Sequence, residues 1–311
     1  MVARDGQRFV EAERRLWNHV GLVPAERWVT LRAGERVRIQ EVGDGIPFVL
    51  LHGVSVAGAS WATLAAALDG VRCLLIDRPG CGLSDPIVGA PLRDLGTVQS
   101  FADDFLVDLL DALELDTAAV GATSYGGFFA FRGAAAAPER VTKLVEYSWL
   151  IGAPTEATPF SARIATVPGI RNLMVRIPMT RNMVKRALRQ FGLRRAIDSG
   201  AFDDHMLDWT YALLRYTNTL ANDVRSSPDL FTPIRGQNLE VLHTDQLLSK
   251  LTMPVLLLWG EHDPNGGAAI AQSFASRLPN PELVVVPNGE HAPWLDDLGL
   301  CVARTRSFLF G

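Results

Sequence analysis

The hydrophobic and polar positions of this chain fall into short apolar runs that alternate with longer amphipathic segments. Continuous apolar runs such as VLLLW at 255–259 are typical of strands that are covered on both faces. The predicted strands are 28–31, 37–41, 48–51, 73–76, 118–122, 143–148, 255–259 and 283–286, and the predicted helices are 6–20, 97–113, 126–137, 268–278 and 294–310. This alternation predicts an α/β fold with a mostly parallel central sheet, helices on both faces, and an antiparallel pair at one edge, near 28–41.

The segment 152–245 departs from this alternation. Its pattern is helical and interrupted by prolines, and it contains no predicted strand. Ligands of open α/β sheets bind beyond the carboxyl ends of the strands, so a helical insertion between two strands can cover such a site. We therefore predict a core domain of residues 1–151 and 246–311, with the N-terminal helix 6–20, and an inserted helical cap, or lid, of residues 152–245.

Composition narrows the class of protein. The 311 residues are 48% hydrophobic and 21% charged, which is typical of a globular rather than a disordered chain, and a formal net charge of −4 gives no indication of a nucleic-acid partner. The N-terminal segment carries charges throughout, and no window is apolar enough for a membrane span, so we expect a cytoplasmic protein without stable membrane insertion. The three cysteines are widely spaced and form no disulfide or metal-binding pattern.

Glycines and polar residues follow five of the predicted strands. They occur as His52-Gly53-Val54, DRPGCGLSD at 77–85, Thr123-Ser124-Tyr125, WGEHD at 259–263 and GEHAPW at 289–294. The carboxyl ends of parallel strands meet at one edge of a sheet, which is where α/β proteins place their active sites. The coincidence of five such segments predicts a chemical site at that edge.

The segment GATSYGGFF at 121–129 predicts a nucleophile elbow. Ser124 comes directly after an apolar strand, and Gly126 and Gly127 would let the following helix pack closely. The usual pattern is G-x-S-x-G, and Ala122 stands where its first glycine is expected. Serine beside glycine is also common in loops, so this segment by itself leaves both interpretations open.

A serine nucleophile needs a base, and the base needs an orienting acid. Asp263 and His291 each follow a predicted strand, and the chain order Ser124, Asp263, His291 is that of α/β-hydrolases. Together with the motifs LLHG at 50–53 and SYGG at 124–127, this order makes the chain resemble the α/β-hydrolase fold superfamily over about residues 27–311, as a serine esterase-like hydrolase with a helical cap.

The resemblance implies a role for each of these residues. Ser124 would be the nucleophile, His291 the general base and acid, and Asp263 the carboxylate that orients the imidazole. The backbone N–H groups of Val54 and Tyr125 would form the oxyanion hole, which stabilises the charge on the carbonyl oxygen of the substrate. We expect neither a metal nor a cofactor, because GCG lacks the full dinucleotide-binding pattern and no metal-ligand spacing occurs.

Other polar residues near these motifs have competing interpretations. His52 is expected to shape the loop that carries the Val54 N–H. His262 is an alternative base, and Glu261 an alternative acid. Asp77 and Asp85 flank a glycine-rich turn, where aspartates commonly bond the local backbone.

Side chains of the substrate pocket are predicted from aromatic content and from position in the chain. The candidate substrate-binding residues are Trp149, His205, Trp209 and Trp294, with Phe160, Tyr211 and Tyr216 as further aromatic candidates. The stretch 171–195 is basic and holds no acidic residue, and Val184, Leu188 and Phe191 repeat in it at helical spacing. We interpret it as an amphipathic cap helix with a solvated outer face and a pocket-facing inner face; binding to a membrane surface or to acidic substrates is the alternative.

These observations predict a metal-free serine hydrolase that acts on a small molecule. An apolar cap favours carboxylic esters or lactones of moderately apolar compounds, cleaved through an acyl-enzyme on Ser124. Hydrolysis of a carbon–carbon bond in a diketone-like compound, or a perhydrolase activity, would use the same triad. A hydrolase-like ligand receptor on the same fold is the non-enzymatic alternative. The sequence indicates no oligomeric state.

Overall fold

The computed structural model describes residues 6–87 and 94–311, with the side chains of 226–228 excepted. The strands are β1 Ala25–Thr30, β2 Arg36–Val42, β3 Ile46–Leu51, β4 Val71–Ile76, β5 Ala118–Ser124, β6 Val141–Leu150, β7 Phe231–Thr232, β8 Gly236–Gln237, β9 Val255–Gly260 and β10 Pro281–Val286. The helices are α1 Gly6–His19, α2 Ala62–Ala67, α3 Leu95–Ala112, α4 Tyr125–Ala136, α5 Phe160–Ile164, α6 Pro168–Met174, α7 Arg181–Leu188, α8 Arg194–Ser199, α9 Asp204–Tyr216, α10 Thr219–Leu230, α11 Asp245–Leu248, α12 Ala268–Ala275, α13 Pro293–Asp296 and α14 Leu298–Phe310.

Eight strands form one central sheet in the order β1-β2-β4-β3-β5-β6-β9-β10. The pairs from β4 through β3, β5, β6 and β9 to β10 are parallel, whereas β1–β2 and β2–β4 are antiparallel. The predicted α/β class, the mostly parallel sheet and the antiparallel edge are confirmed. The carboxyl ends of β3, β5, β9 and β10 therefore lie along one edge, and the loops that follow them meet there.

Each face of the sheet is covered by its own apolar layer. On one face, side chains of α3, α4 and α12 pack with alternate residues of the strands, among them Val49 and Val120. On the other face, α1, α2, α9 and α14 pack against the intervening strand residues, among them Phe48 and Leu75. Because both faces are buried, the strands are continuously apolar, which is the pattern that predicted them.

The segment between β6 and β9, residues 152–245, is called the insertion below. It carries α5 to α10 and the first residue of α11, as the helical pattern predicted, together with the two-residue strands β7 and β8, which the pattern did not reveal. The amphipathic helix predicted over 171–195 is broken into α6, α7 and a π-helical turn at 189–193. Helix α7 begins after Thr180, whose side chain caps the helix by accepting the Met183 N–H. Within the π-helical turn, Gly192 has a positive φ of 85°, which interrupts the helical conformation.

The predicted C-terminal helix 294–310 is likewise two helices, because Asp297 leaves the helical conformation and caps α14 by accepting the Leu300 N–H. At the other end of the chain, α1 packs on α9 of the insertion. None of the helices in the part of the chain described here combines the length and the apolar character that a membrane span requires.

Candidate active site

Ser124 lies on a sharp turn between β5 and α4. Its backbone has φ 57° and ψ −117°, a conformation that non-glycine residues rarely adopt and that costs of order 1–3 kcal/mol. Two glycines make room for the turn. A Cβ on Gly126 would lie 2.1 Å from the Leu51 carbonyl oxygen, and one on Gly53 would lie 3.1 Å from the Ser124 Cβ. The strained turn holds the serine at the edge of the sheet where the loops meet.

Ala122 is accommodated because the turn begins beyond it. Ala122 is a regular residue of β5, paired with Leu51 on one side and with Glu146 on the other, and its methyl group packs into the apolar layer formed by α3 and α4. The position of β5 that does require glycine is Gly121, one residue before Ala122. A Cβ on Gly121 would lie 2.5 Å from Phe48 Cζ on the opposite face of the sheet.

His291 and Asp263 are joined by a short hydrogen bond. Asp263 Oδ2 lies 2.7 Å from His291 Nδ1, and because a carboxylate oxygen accepts, the bond places the hydrogen on Nδ1 and leaves Nε2 as an acceptor. Asp263 is buried, and it also accepts the Trp149 backbone N–H at 3.1 Å and the Asn265 backbone N–H at 2.9 Å. These bonds fix the carboxylate, and the carboxylate fixes the imidazole.

Ser124 and His291 line the same cavity, which has a volume of about 240 Å³. The hydrogen bonds of residues 6–87 and 94–311 do not include one from the Ser124 hydroxyl to His291. A hydrogen bond between a nucleophile and its base is often long in a free enzyme and shortens when substrate binds. The structure thus brings the three predicted triad residues to one site, with the hydrogen bond between Asp263 and His291 formed.

The loop after β3 is held by a buried arginine. Arg78 donates its backbone N–H to His52 Nε2 at 3.1 Å, and its guanidinium donates to the carbonyl oxygens of His52 and Gly53 at 3.0 and 2.8 Å. His52 Nδ1 is 2.8 Å from the Gly53 carbonyl oxygen. Burial and the adjacent Arg78 hold the pKa of His52 well below its ordinary value, so the ring is neutral and shapes the loop before Val54, as predicted.

The two aspartates of the glycine-rich segment accept backbone N–H groups. One contact of Asp77 is local, as predicted, whereas Asp85 bonds the start of β2, which is distant in the chain. Asp77 accepts the N–H groups of Gly58 and Leu83 at 2.8 and 3.1 Å, and Asp85 accepts the Arg36 N–H at 3.2 Å. The glycines fit around these contacts. A Cβ on Gly82 would lie 2.1 Å from Asp77 Oδ2.

Tyr125 is the second predicted oxyanion donor and the first residue of α4. Its backbone N–H belongs to the first helical turn, where the N–H groups have no partner within the helix and point along the helix axis toward Ser124. Val54 lies in the cavity wall beside Ser124. Both residues flank Ser124, one from each of the two adjacent strand ends.

Three of the four predicted substrate-binding residues line the cavity: Trp149, Trp209 and Trp294. The prediction for His205 is wrong. On α9 the buried face presents Met206 and Trp209 to the cavity, whereas His205 is exposed and stacks on His19 of α1, with 4.2 Å between ring centroids. One helical position separates His205 from Met206, and that rotation of about 100° turns it away.

The further aromatic candidates also lie elsewhere. Phe160 is 72% exposed, and Tyr211 and Tyr216 contact each other edge to face outside the cavity. Neither alternative for the triad occupies the site: Glu261 accepts the Asn288 N–H at 2.8 Å, and His262 faces Glu261 with 63% of its side chain exposed. By contrast, Val184, Leu188 and Phe191 line the cavity, as their spacing predicted.

The remaining wall of the cavity is largely apolar. Besides the tryptophans, it is formed by side chains of the insertion such as Met174, Met179, Val184, Leu188, Phe191 and Phe202. Among the described residues, the ionisable side chains that line it are His291 and Asp223, and no lysine or arginine does. In the same residues, no group of three His, Cys, Asp or Glu side chains could hold a metal ion.

Sequence reasoning missed four residues that support the site. Glu146 on β6 accepts the Ser124 N–H at 3.1 Å, Asn265 donates to Asp263, and Arg78 and Asp223 brace the loop after β3. Glu146 carried a signal, since it is a charged residue inside an apolar strand. Asp223 carried none, because an aspartate in a polar helix of the insertion is ordinary.

A comparison with models of known families decides the membership of the chain. The model for the alpha/beta hydrolase fold matches residues 46–298. The chain belongs to the alpha/beta hydrolase fold family. This confirms the resemblance drawn from the motifs.

Relatives within the α/β hydrolase family fall under several names. A 2-hydroxy-6-oxononadienedioate/2-hydroxy-6-oxononatrienedioate hydrolase of Cupriavidus pinatubonensis is 26% identical over 284 residues, 86% of this chain and 90% of the relative. A carboxylesterase of Bacillus subtilis superposes with a TM-score of 0.76 at 21% identity, covering 98% of both chains. A 2-hydroxy-6-oxo-6-phenylhexa-2,4-dienoate hydrolase of Rhodococcus sp. strain RHA1 superposes with a TM-score of 0.72 at 17% identity, covering 93% of this chain and all of the other.

Proposed function

We propose that the chain is a serine hydrolase in which Ser124 is the nucleophile, His291 the general base and acid, and Asp263 the orienting carboxylate. The observation that carries the proposal is the 2.7 Å bond from the buried Asp263 to His291, which lines the same cavity as the strained Ser124. We further propose that residues 1–151 and 246–311 act as the core domain and the insertion as its cap, since side chains of the insertion form much of the cavity wall.

The proposed reaction proceeds in two steps. Ser124 Oγ attacks a carbonyl carbon while His291 Nε2 takes the hydroxyl proton, and Asp263 stabilises the imidazolium that forms. The N–H groups of Val54 and Tyr125 stabilise the oxyanion. Collapse of the tetrahedral intermediate expels the leaving group, which takes the proton from His291, and water then hydrolyses the acyl-enzyme by the reverse sequence of proton transfers.

The curated relative supports one type of bond. The compound in its name contains hydroxyl, oxo, alkene and two carboxylate groups but neither ester nor amide, so its hydrolysis must break a carbon–carbon bond. Our first candidate is therefore carbon–carbon bond hydrolysis next to a ketone. There the leaving group departs as a carbanion stabilised as an enolate, and the proton from His291 goes to carbon.

The cavity limits the substrate of this reaction. Burying a carboxylate without a cation or several hydrogen-bond donors costs several kcal/mol. The described wall offers no lysine or arginine and includes Asp223. We therefore propose an uncharged, largely apolar substrate, which differs from the dicarboxylate named for the relative. The same apolar wall favours a second candidate, hydrolysis of a neutral carboxylic ester or lactone.

The nucleophile is tested by labelling with a fluorophosphonate probe. We expect the wild type to label and Ser124→Ala not to label. Ser148→Ala is a matched control, because Ser148 is a buried serine on β6 whose hydroxyl lies 3.4 Å from His291 Nδ1. We expect this variant to label like the wild type. Labelling and turnover by Ser124→Ala would refute the assignment.

The bond type is tested with a matched substrate set that holds one aryl acyl group constant. The set comprises an uncharged 1,3-diketone, the corresponding ester, and a carboxylate-bearing version of each. We expect kcat/KM for each uncharged compound to exceed that of its carboxylate analogue by about tenfold or more, equivalent to about 1.4 kcal/mol. Turnover of the ester alone would select the second candidate, and a preference for the carboxylates would overturn the proposed substrate class.

A further inference from the structure

Asp223 links the insertion to the loop that carries the Val54 N–H. It lies on α10, is 5% exposed, and reaches across to the loop after β3, where its Oδ2 accepts the Ser55 backbone N–H at 2.6 Å. Ser55 has a positive φ of 59°, which a non-glycine residue holds only where its surroundings fix it. This bond is therefore one of the contacts that determine the conformation of the loop.

The same carboxylate faces the guanidinium that holds the other side of the loop. Asp223 Oδ1 lies 3.6 Å from Arg78 Nη2, and Arg78 donates to the carbonyl oxygens of His52 and Gly53. Val54 stands between the residues held by Arg78 and the residue held by Asp223. The direction of its N–H is thus set from both ends of a four-residue loop.

The charges of this pair explain why a carboxylate is required. Arg78 is buried, with its guanidinium over the Tyr125 ring at 4.9 Å, and a buried cation without a counter-ion is strongly destabilising. Asp223 is the carboxylate within 4 Å of it among the described residues. Removing the negative charge would weaken the hold of Arg78 on the loop as well as the bond to Ser55.

We propose that Asp223 is a positioning residue, which sets the Val54 N–H for oxyanion binding only while α10 is seated on the core. The inference rests on the proposed function. It makes the seating of the insertion a condition for catalysis, because the helix that covers the cavity also fixes the loop beneath it. A cap that lifts at α10 would release the oxyanion loop at the same time as it opens the cavity.

A second contact of α10 supplies the control. Thr219 Oγ1 accepts the Gly82 N–H at 2.9 Å, so it also fastens α10 to the core, but on the glycine-rich loop instead of the loop that carries Val54. Thr219→Ala should therefore loosen the helix without acting on the oxyanion loop directly. The change in kcat of Thr219→Ala therefore shows how much activity depends on the attachment of α10 alone.

The experiment compares kcat and KM of Asp223→Ala, Asp223→Asn and Thr219→Ala with a p-nitrophenyl ester. We expect Asp223→Ala to lower kcat by about 10- to 100-fold, because the Val54 N–H is displaced but not removed. KM should change less than about threefold. Asp223→Asn should recover part of the loss, because its amide oxygen can still accept the Ser55 N–H. Thr219→Ala should stay within about threefold of the wild type.

Each outcome bears on one claim. Equal effects of Asp223→Ala and Thr219→Ala, or a loss of Asp223→Ala confined to KM, would overturn the positioning role. If Asp223→Ala does not fold, Asp223→Asn carries the test: a kcat decrease of about threefold or more at unchanged KM supports the role, and wild-type kcat refutes it. Failure of the proposed function is separate, since it would show as activity of Ser124→Ala, whatever Asp223 does.

Discussion

The backbone N–H of Ser124 donates to the side chain of Glu146, with 3.1 Å between the nitrogen and Oε1. The pairing of β5 with β6 shifts register between Ala122 and Ser124, at the point where the strained turn begins. A side-chain oxygen from the neighbouring strand accepts the N–H there. Glu146 therefore supports the turn that presents Ser124.

Glu146 should act in its neutral form. Burial raises the pKa of Glu146 well above the ordinary value, and the nearby Asp263 raises it further, which favours the protonated carboxyl. We expect Glu146→Gln, which keeps an acceptor and the same charge, to stay within a few-fold of wild-type kcat. Glu146→Ala leaves a buried N–H without a partner and should lower the free energy of unfolding by about 1–3 kcal/mol, along with kcat. Urea unfolding measures the free energy of unfolding, and ester hydrolysis measures kcat. Equal losses in Glu146→Gln and Glu146→Ala would contradict the neutral form of Glu146.

Gly126 allows the first turn of α4 to approach β3. In Gly126→Ala the new Cβ would meet the Leu51 carbonyl oxygen at 2.1 Å, so the elbow must shift, at a cost of about 1–3 kcal/mol in stability and a loss of fluorophosphonate labelling. Gly169→Ala is the matched control, because a Cβ on that helical glycine meets nothing within 4 Å. Normal labelling by Gly126→Ala would show that the elbow tolerates the displacement.

The role of Asp263 predicts a large effect on catalysis and a small one on folding. Asp263→Asn should lower kcat by roughly 10³- to 10⁴-fold, because an amide at this position no longer imposes the hydrogen on His291 Nδ1. The neighbouring Glu261→Gln, whose side chain is partly exposed and bonds the Asn288 N–H, should change kcat by less than about twofold. Steady-state kinetics on both variants decide the matter. A reversed ranking would make Glu261 the acid.

Glu13 on α1 predicts a pH dependence of stability. It is buried against Arg38, 2.6 Å from its Nη2, and burial raises the pKa of Glu13 to about 7. A raised pKa in the folded state means that the contribution to stability is complete below pH 4.5 and is lost as the pH rises through 7. The wild type should therefore lose stability relative to Glu13→Gln as the pH rises over this range.

Urea unfolding of both proteins at pH 5 and pH 8 checks this prediction. The difference in unfolding free energy between wild type and Glu13→Gln should shift in favour of the variant at the higher pH. A difference that is independent of pH, or that moves toward the wild type, would mean that Arg38 keeps Glu13 ionised throughout.

Much of the site follows from the sequence because it is built on strand ends. A continuous apolar run identifies a strand of a covered sheet, and parallel strands bring their carboxyl ends together whatever their order. For that reason Ser124, Asp263 and His291, each within five residues after such a run, could be placed at one edge before any contact was known. The same reasoning placed His52 and Val54 beside them.

Residues of the insertion were less predictable, because a helix position says little about which way a side chain faces until the helix is docked. His205 and Met206 are adjacent in sequence, yet one stacks on α1 and the other lines the cavity. Phe160 is aromatic and is nonetheless exposed. Aromatic content alone could not separate the lining residues from the others.

The sequence by itself determined the class of the fold, the edge of the sheet where the candidate site lies, and the order of the proposed triad residues, since these depend on local apolar periodicity and on turn chemistry. Only the tertiary structure decided which side chains support them. Glu146, Arg78 and Asp223 act across distances of 22 to 168 residues in the chain, through hydrogen bonds with Ser124, Gly53 and Ser55. Such bonds depend on register and on helix docking, which no local pattern encodes.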